Sequence, residues 1–307
     1  MTAAPDSQRP DAVGRAIVLT LLTIGVFGIQ DAVGKILVQT YSPFQVTMMR
    51  YWGFTLFALF MVMRQAPLSQ ALSSKAVGWQ VLRGVLLMAD IWLFAIALRT
   101  VPLGELQAIV IVYPLLVTLF AIPLLGEKVG VFRFVAVAVG FLGALVVVRP
   151  GGVPLSWGVG AGLASSALYA LYIVITRKVS RIDSAATSLL YTALVGLILS
   201  GAVGIFAWEP MAWTDVLLVI VTMATTCAGH GVMVYALSMA PASTLQPFNY
   251  FSLPWAIFLS ATIFGHFIDP ISLVGAGIIV AAGLVVMARE RKRKVAVVTA
   301  GPVPGRE

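Results

Sequence analysis

Stretches of about 20 largely apolar residues, each the length a helix needs to cross ~30 Å of hydrocarbon, recur along nearly the whole chain. They read at 15–37, 43–63, 79–99, 102–125, 130–148, 156–176, 185–206, 213–237, 241–264 and 271–288, ten in all. Ten spans joined by short loops almost exhaust the 307 residues and leave no room for a separate soluble domain. Only 10% of the residues are charged, where a soluble domain uses about a quarter to face water. The expected fold is all-α and polytopic, ten transmembrane helices in one integral membrane protein. The first run shows no A-x-A-like cleavage pattern, so it reads as a retained span rather than a signal peptide.

A net charge of +8 would point a soluble chain toward nucleic acid, but the placement of the basic residues gives it another meaning. With both termini cytoplasmic, sixteen fall inside: Arg9, Arg15, Arg64, Lys75, Arg83, Lys128, Arg133, Arg177, Lys178, Arg181, Arg289, Arg291, Lys292, Arg293, Lys294 and Arg306. Three fall outside, Lys35, Arg99 and Arg149, and Arg50 lies within a span. This positive-inside bias is orientation signal. It predicts cytoplasmic termini in a bacterial inner (plasma) membrane, with the lipid bilayer rather than nucleic acid as partner. The RERKRK run from Arg289 reads as a stop-transfer anchor with a solvated tail. A single cysteine, Cys227, excludes an internal disulfide and a cysteine-rich metal site, and no metal or cofactor is implied.

The chain also matches itself at an offset of 139 residues: Ala97-Leu98 on Ala236-Leu237, Pro102 on Pro241, Gln107 on Gln246, Gly126 on Gly265, and Leu145-Val146-Val147 on Leu284-Val285-Val286. Five spans per half is an odd number, so the second half enters from the opposite face, as in the inverted repeats of secondary transporters. The expected organisation is a tail at 1–14, a five-helix repeat at 15–148, its inverted copy at 156–288, and a basic tail at 289–307. Prolines 114 and 123 in the fourth span, and 247 and 254 in the ninth, free the carbonyls of Val110, Leu119, Ser243 and Tyr250. Helix breaks at Pro114, Pro247 and Pro254 in corresponding spans point to a transport site and its gates.

The segment from LRTVPLGELQAIV to FLGALVVVRPGG resembles the first-half core of the drug/metabolite transporter superfamily, of the EamA type. Arg50 in MMRYWG, the LRG at 82–84, the Gly126-Glu127 pair and the Arg149-Pro150 exit carry the resemblance, which spans roughly residues 13–290. It implies ten helices in two inverted halves, cytoplasmic termini and alternating-access movement of small metabolites. The second half departs from it: GHFIDP at 265–270 stands where a Gly-Glu is expected.

A charge at the centre of a membrane helix costs about 2.5–3.5 kcal/mol even on lenient scales, so polar residues inside the spans are functional candidates. GIQDAVGKIL at 28–37 places Gln30, Asp31 and Lys35 in the first span. Lys35 is close enough to the surface to snorkel. Asp31 lies deeper, at the depth of Arg50, and a direct Asp31–Arg50 pair is expected, serving either as a static clamp or as part of a gate. Asp90, in LLMADIWLF with Trp92 close by, is the most central acid; the favoured role is contact with a cationic substrate group or a proton. Glu105 reads equally as a wet helix-start acid or a gate. Gln107 and Gln246 line the cavity from opposite halves or glue helices together. Asn249, Tyr250, Tyr113, Tyr169 and Tyr172 can wall a pocket. For His230 a satisfied polar contact is favoured over a proton relay.

Without a Walker A sequence the driving force is a gradient or exchange, with protons as a candidate coupling ion. The residues show no H-E-x-x-H or recognisable triad for an enzyme and no carbonyl filter for a channel. The expected function is a secondary active transporter, an exporter or exchanger, of a small polar metabolite such as an amino acid or related zwitterion. It would work as a monomer or homodimer. Organic anions, favoured by Arg50 and Arg83, and nucleoside-like metabolites are the alternatives.

Overall fold

A helix satisfies its backbone polar groups within its own segment, which is what hydrocarbon demands of a spanning chain. The computed structural model of the protein describes residues 10–65, 67–126, 131–148, 156–240 and 242–299, without the side chains at 10, 11, 133, 242, 243 and 290–299. Every regular element among them is helical. They are α1 (Pro10–Thr40), α2 (Pro43–Met63), α3 (Leu68–Leu72), α4 (Val77–Thr100), α5 (Leu103–Val110), α6 (Tyr113–Leu125), α7 (Val131–Val147), α8 (Trp157–Val179), α9 (Ala185–Gly204), α10 (Trp213–Met239), α11 (Ala242–Leu245), α12 (Ser252–Phe264) and α13 (Pro270–Thr299). Short 3-10 turns follow α9 at Ile205–Ala207 and α11 at Gln246–Phe251.

Eight helical stretches among the described residues are long and apolar enough to cross a membrane, counting Leu103–Leu125 as one. The two remaining apolar runs are shorter as helices. The run at 130–148 gives the 17-residue α7, and the run at 241–264 is interrupted by the 3-10 turn and leaves the 13-residue α12. Glu127, Lys128, Gly130, Arg149, Pro150, Pro241, Arg9 and Arg306 of the sequence reading lie outside the described residues. So do the side chains of Arg133, Arg291, Lys292, Arg293 and Lys294.

Helix starts are capped where the sequence supplies a short polar residue. Ser42, Ser156 and Ser184 accept from the backbone N–H of Phe44, Val159 and Thr187, at 3.3, 3.4 and 3.1 Å. Asp269 Oδ1 accepts from Ile271 and Ser272, each at 3.0 Å. The helices α6 and α12 both stop on a left-handed glycine, Gly126 (φ 67°) and Gly265 (φ 63°), a conformation that strains any residue with a Cβ. Gly126 is expected from the sequence to be a small-residue contact. Instead, nothing lies within 4 Å of where its Cβ would be, so it ends a helix and packs against nothing.

The long helices pack in pairs: α1 on α10, α4 on α8, α2 on α9 and α7 on α13. Each pair joins a helix before residue 148 to one after 156. The closest approach is at α7 and α13, where a Cβ on Gly275 would sit 2.7 Å from the Gly143 carbonyl oxygen, and one on Gly143 would sit 2.8 Å from that of Gly275. Gly158 and Gly162 likewise let α8 lie against Thr100 and Leu106. An offset of 139 residues recurs in the element boundaries: α5, α6 and α7 begin at 103, 113 and 131, and α11, α12 and α13 at 242, 252 and 270.

One polar junction at the bundle edge ties the start of α4 to the α8–α9 loop. The Asp183 carboxylate accepts from Ser74 Oγ at 2.5 Å, Gln80 Nε2 at 2.9 Å and Lys75 N–H at 3.0 Å. Slight burial pushes this carboxyl up, but the bonds from Ser74, Gln80 and Lys75 outweigh it and hold the group below its ordinary value of 3.8. A depressed carboxylate contributes stability above its unfolded value and loses it as pH falls through the folded one. Thermal stability of the detergent-solubilised protein is therefore expected to drop as pH is lowered below about 4, and Asp183→Asn should remove that component. An unchanged acid limb in the variant would assign the drop to other groups.

Candidate functional site

Two of the membrane runs are broken in the middle, and the candidate site gathers around the breaks. Between α5 and α6 the helix gives way at Ile111–Val112, and Pro114 sits in the first turn of α6, where its missing N–H has no intrahelical partner to lose. The Val110 carbonyl freed there accepts from Ser166 Oγ at 3.1 Å. Pro254 occupies the equivalent first turn of α12, so the ninth run is broken by the 3-10 turn that starts at Gln246-Pro247.

Around this level α1 supplies Gln30 and Asp31, α2 Arg50, α4 Asp90 and Trp92, α8 Tyr169 and Tyr172, and α10 His230. Ser165 Oγ donates to Asp90 Oδ1 at 2.5 Å, fixing the most buried of the central acids, 9% exposed, on α8. Gln30 and Thr226 meet at 2.6 Å. The single Thr226 hydroxyl proton also serves the Thr222 carbonyl at 2.7 Å, so the Gln30 amide N–H is the donor. The expected direct Asp31–Arg50 pair does not form: no N···O contact within 4.0 Å joins them. Both side chains are half-buried, and the Arg50 charge acts on Asp31 and Asp90 together. Charged groups on three helices, near one another yet unpaired and partly accessible, border a cavity.

Rings line the same region. Tyr113 meets Tyr169 edge-on with centroids 5.0 Å apart, and Tyr169 stacks on Tyr172 at 5.9 Å. Asn249 bonds to the Tyr113 side chain and donates to Gln246 Oε1 at 3.1 Å. The edge of Phe44 meets Trp92 at 5.3 Å, and the buried Trp92 indole N–H has no partner among the described residues. His230 lies between Phe27 and Phe54, at 5.5 and 5.1 Å, with its ring still accessible. Tyr250 does not join this wall; it is buried against Gly283 of α13. Gln107 is also spent elsewhere, donating to Ser252 Oγ at 2.9 Å and so bonding α5 to α12.

At one end of the bundle α5 packs on α12, with Gly104 against Ile257. Glu105, 5% exposed, pairs there with His266 at 2.6 Å, while its second oxygen has no partner among the described residues. Lys35 does not run freely to the surface. Its ammonium donates to the Leu98 and Val101 carbonyls at the end of α4, at 2.6 and 2.8 Å, beside Glu105. At the other end α6 packs on α7 and α8, and α11 on α1 and the 3-10 turn, so the broken runs diverge. Arg83 lies buried toward that end. It donates to the Ser188 carbonyl and, at 2.7 Å, to Thr192 Oγ1, with Tyr172 5.5 Å away.

Sequence reasoning did not single out Ser165, Thr226, Ser252 or His266. For the first three the only signal is a hydroxyl inside an apolar run. For His266 the signal is the departure at GHFIDP, which puts an imidazole opposite Glu105.

The model of the EamA-like transporter family matches the chain twice, at residues 14–149 and 156–288. Among curated proteins, the chain is similar to a riboflavin transporter of Vibrio cholerae, 28% identical over 274 residues, covering 85% of this chain and 89% of that protein. It is also similar to an S-adenosylmethionine uptake transporter of Rickettsia prowazekii, 24% identical over 272 residues, covering 89% and 92%. A solved crystal structure superposes with a TM-score of 0.62 at 17% identity, over 93% of this chain and 99% of that one, a likeness of fold.

Proposed function

From the premise that this chain belongs to the EamA-like transporter family, matched over residues 14–149 and 156–288, we propose that it is a secondary carrier exchanging a small polar metabolite by alternating access. That it is a membrane transporter and not an enzyme follows from the family and its named relatives. The finer reading rests on one observation: Asp31, Arg50 and Asp90 border a cavity without pairing, alongside the Tyr113–Tyr169–Tyr172 rings. Unspent charge beside stacked rings suits a substrate that carries a polar or charged group on a planar ring system. Riboflavin and S-adenosylmethionine, the cargoes in the relatives' names, both have one. A simple amino acid or an organic anion fits less well, because Arg83 is engaged on α9 and leaves Arg50 as the cation in reach.

Two inverted five-helix repeats, 15–148 and 156–288, are the architecture we infer, with cytoplasmic tails at 1–14 and 289–307. The recurring 139-residue offset of helix starts, the two family matches and the exchange of partners in the α1–α10 and α4–α8 pairs support it. With the basic loops inside, the joined end at Glu105–His266 is the outer one, and the diverging end opens to the cytoplasm.

The test is a thermal-stability screen of the purified protein with riboflavin, S-adenosylmethionine, amino acids and organic acids, followed by counterflow in proteoliposomes for any compound that stabilises. A ligand present at 100 times its Kd is expected to stabilise by about 2.7 kcal/mol. Stabilisation by ring-bearing compounds with saturable counterflow is the expected result; stabilisation by amino acids or organic acids alone would replace the substrate class.

A further inference from the structure

The central acids outnumber the fixed cation that serves them, and this asymmetry has a consequence for what the cavity carries. We propose that the cavity takes a metabolite of net charge +1 in exchange for one proton, with Asp31 and Asp90 sharing Arg50 as their single fixed counter-charge. The proposal rests on the carrier reading and extends it to substrate charge and coupling.

The groups that face the two acids come from every helix packed around them. On α2 they are Arg50 and Tyr51, on α8 Ser165, Tyr169 and Tyr172, on α10 Thr226 and His230. Arg50 is the one permanent cation in that set. Lys35, one turn along α1 from Asp31, has its ammonium held by the Leu98 and Val101 carbonyls and faces Glu105. Arg83 is seven residues along α4 from Asp90, about 10.5 Å of helix, and is engaged with α9 and Tyr172. Two carboxylates against one guanidinium leave one negative charge uncompensated.

An uncompensated charge is tolerated while the cavity is open to water and strongly disfavoured once it is sealed in low dielectric. The carrier therefore crosses its sealed state when one further positive charge is on board. A proton on the acid pair supplies that charge, and so does a monocationic substrate, whose cation the tyrosine faces also favour. The two are mutually exclusive: as one cation arrives, one proton leaves the Asp31/Asp90 pair for bulk water. Charge balances at each step.

Two measurements test this on the full-length protein. Infrared spectroscopy of the empty protein near neutral pH is expected to show one protonated carboxyl group. Asp31→Asn and Asp90→Asn should each remove it, because the remaining carboxylate is then balanced by Arg50, and His230→Gln should keep it. Calorimetry in buffers of different ionisation enthalpy then counts protons on ligand binding. S-adenosylmethionine, net +1, should release one proton and bind about tenfold more weakly for each pH unit of acidification. S-adenosylhomocysteine has the same ring and no net charge, and it should release none.

Absence of a protonated carboxyl in the empty protein overturns the proposal, as does its survival in both Asn variants or its loss in His230→Gln. Equal proton release by the two adenosyl compounds overturns the substrate half. If the infrared pattern appears and neither compound binds, the charge count stands, and the ring-bearing substrate of the carrier reading is what fails.

Discussion

Arg50→Gln is expected to lower the initial rate of substrate exchange in proteoliposomes by roughly 30- to 3,000-fold, while protein still inserts and purifies. Removing one member of a desolvated charge constellation typically forfeits about 2–5 kcal/mol, much of it the penalty on the charges left behind. At 1.4 kcal/mol per decade that range gives the stated loss. Here two carboxylates, Asp31 and Asp90, lose the one guanidinium that acts on both. Arg50→Lys keeps the charge on a different geometry and should recover part of the rate. Wild-type exchange by Arg50→Gln would remove the arginine from the transport cycle and reduce it to packing.

The second large effect is structural. A Cβ on Gly275 would lie 2.7 Å from the Gly143 carbonyl oxygen, and backbone cannot rotate out of the way as a side chain can. Gly275→Val should push α7 and α13 apart and destabilise by about 1–3 kcal/mol, the usual range for overpacking. Gly143→Val should do the same, and the double variant should cost less than the sum because the separation is made once. Gly277 has nothing within 4 Å of its Cβ position, so Gly277→Ala is the matched control and should be neutral or slightly stabilising. Thermal unfolding in detergent reads all four; an unaffected Gly275→Val would mean that the pair has room to shift.

What could be read from the sequence divides along a physical line. Spans announce themselves because hydrocarbon imposes a length and a composition on each one locally. The breaks at Pro114 and Pro247 were legible for the same reason, since proline acts on its own turn. Pairings across the bundle were not. Asp31 and Arg50 were placed at one depth, but depth leaves lateral distance open, and the two acids turn out to share the arginine's field instead of one binding it. Ser165 and Thr226 lie 75 and 196 residues from Asp90 and Gln30, and nothing local marks a hydroxyl as the partner of a distant amide or acid. Lys35 was read as a snorkelling cation because its carbonyl acceptors at Leu98 and Val101 belong to the end of another helix.

The pairing of α1 with α10 and of α4 with α8 also bears on how the chain is made. At a synthesis rate of about 5–20 residues per second, the 173 residues between the end of α1 and the start of α10 take roughly 10–35 s to emerge. Throughout that interval α1 is already in the bilayer with Gln30 and Asp31 and without Thr226. The nascent chain must therefore shelter that polar face in some other way, against the insertion machinery, a neighbouring early helix or a carried proton. The newborn protein is at its most vulnerable before its second half exists.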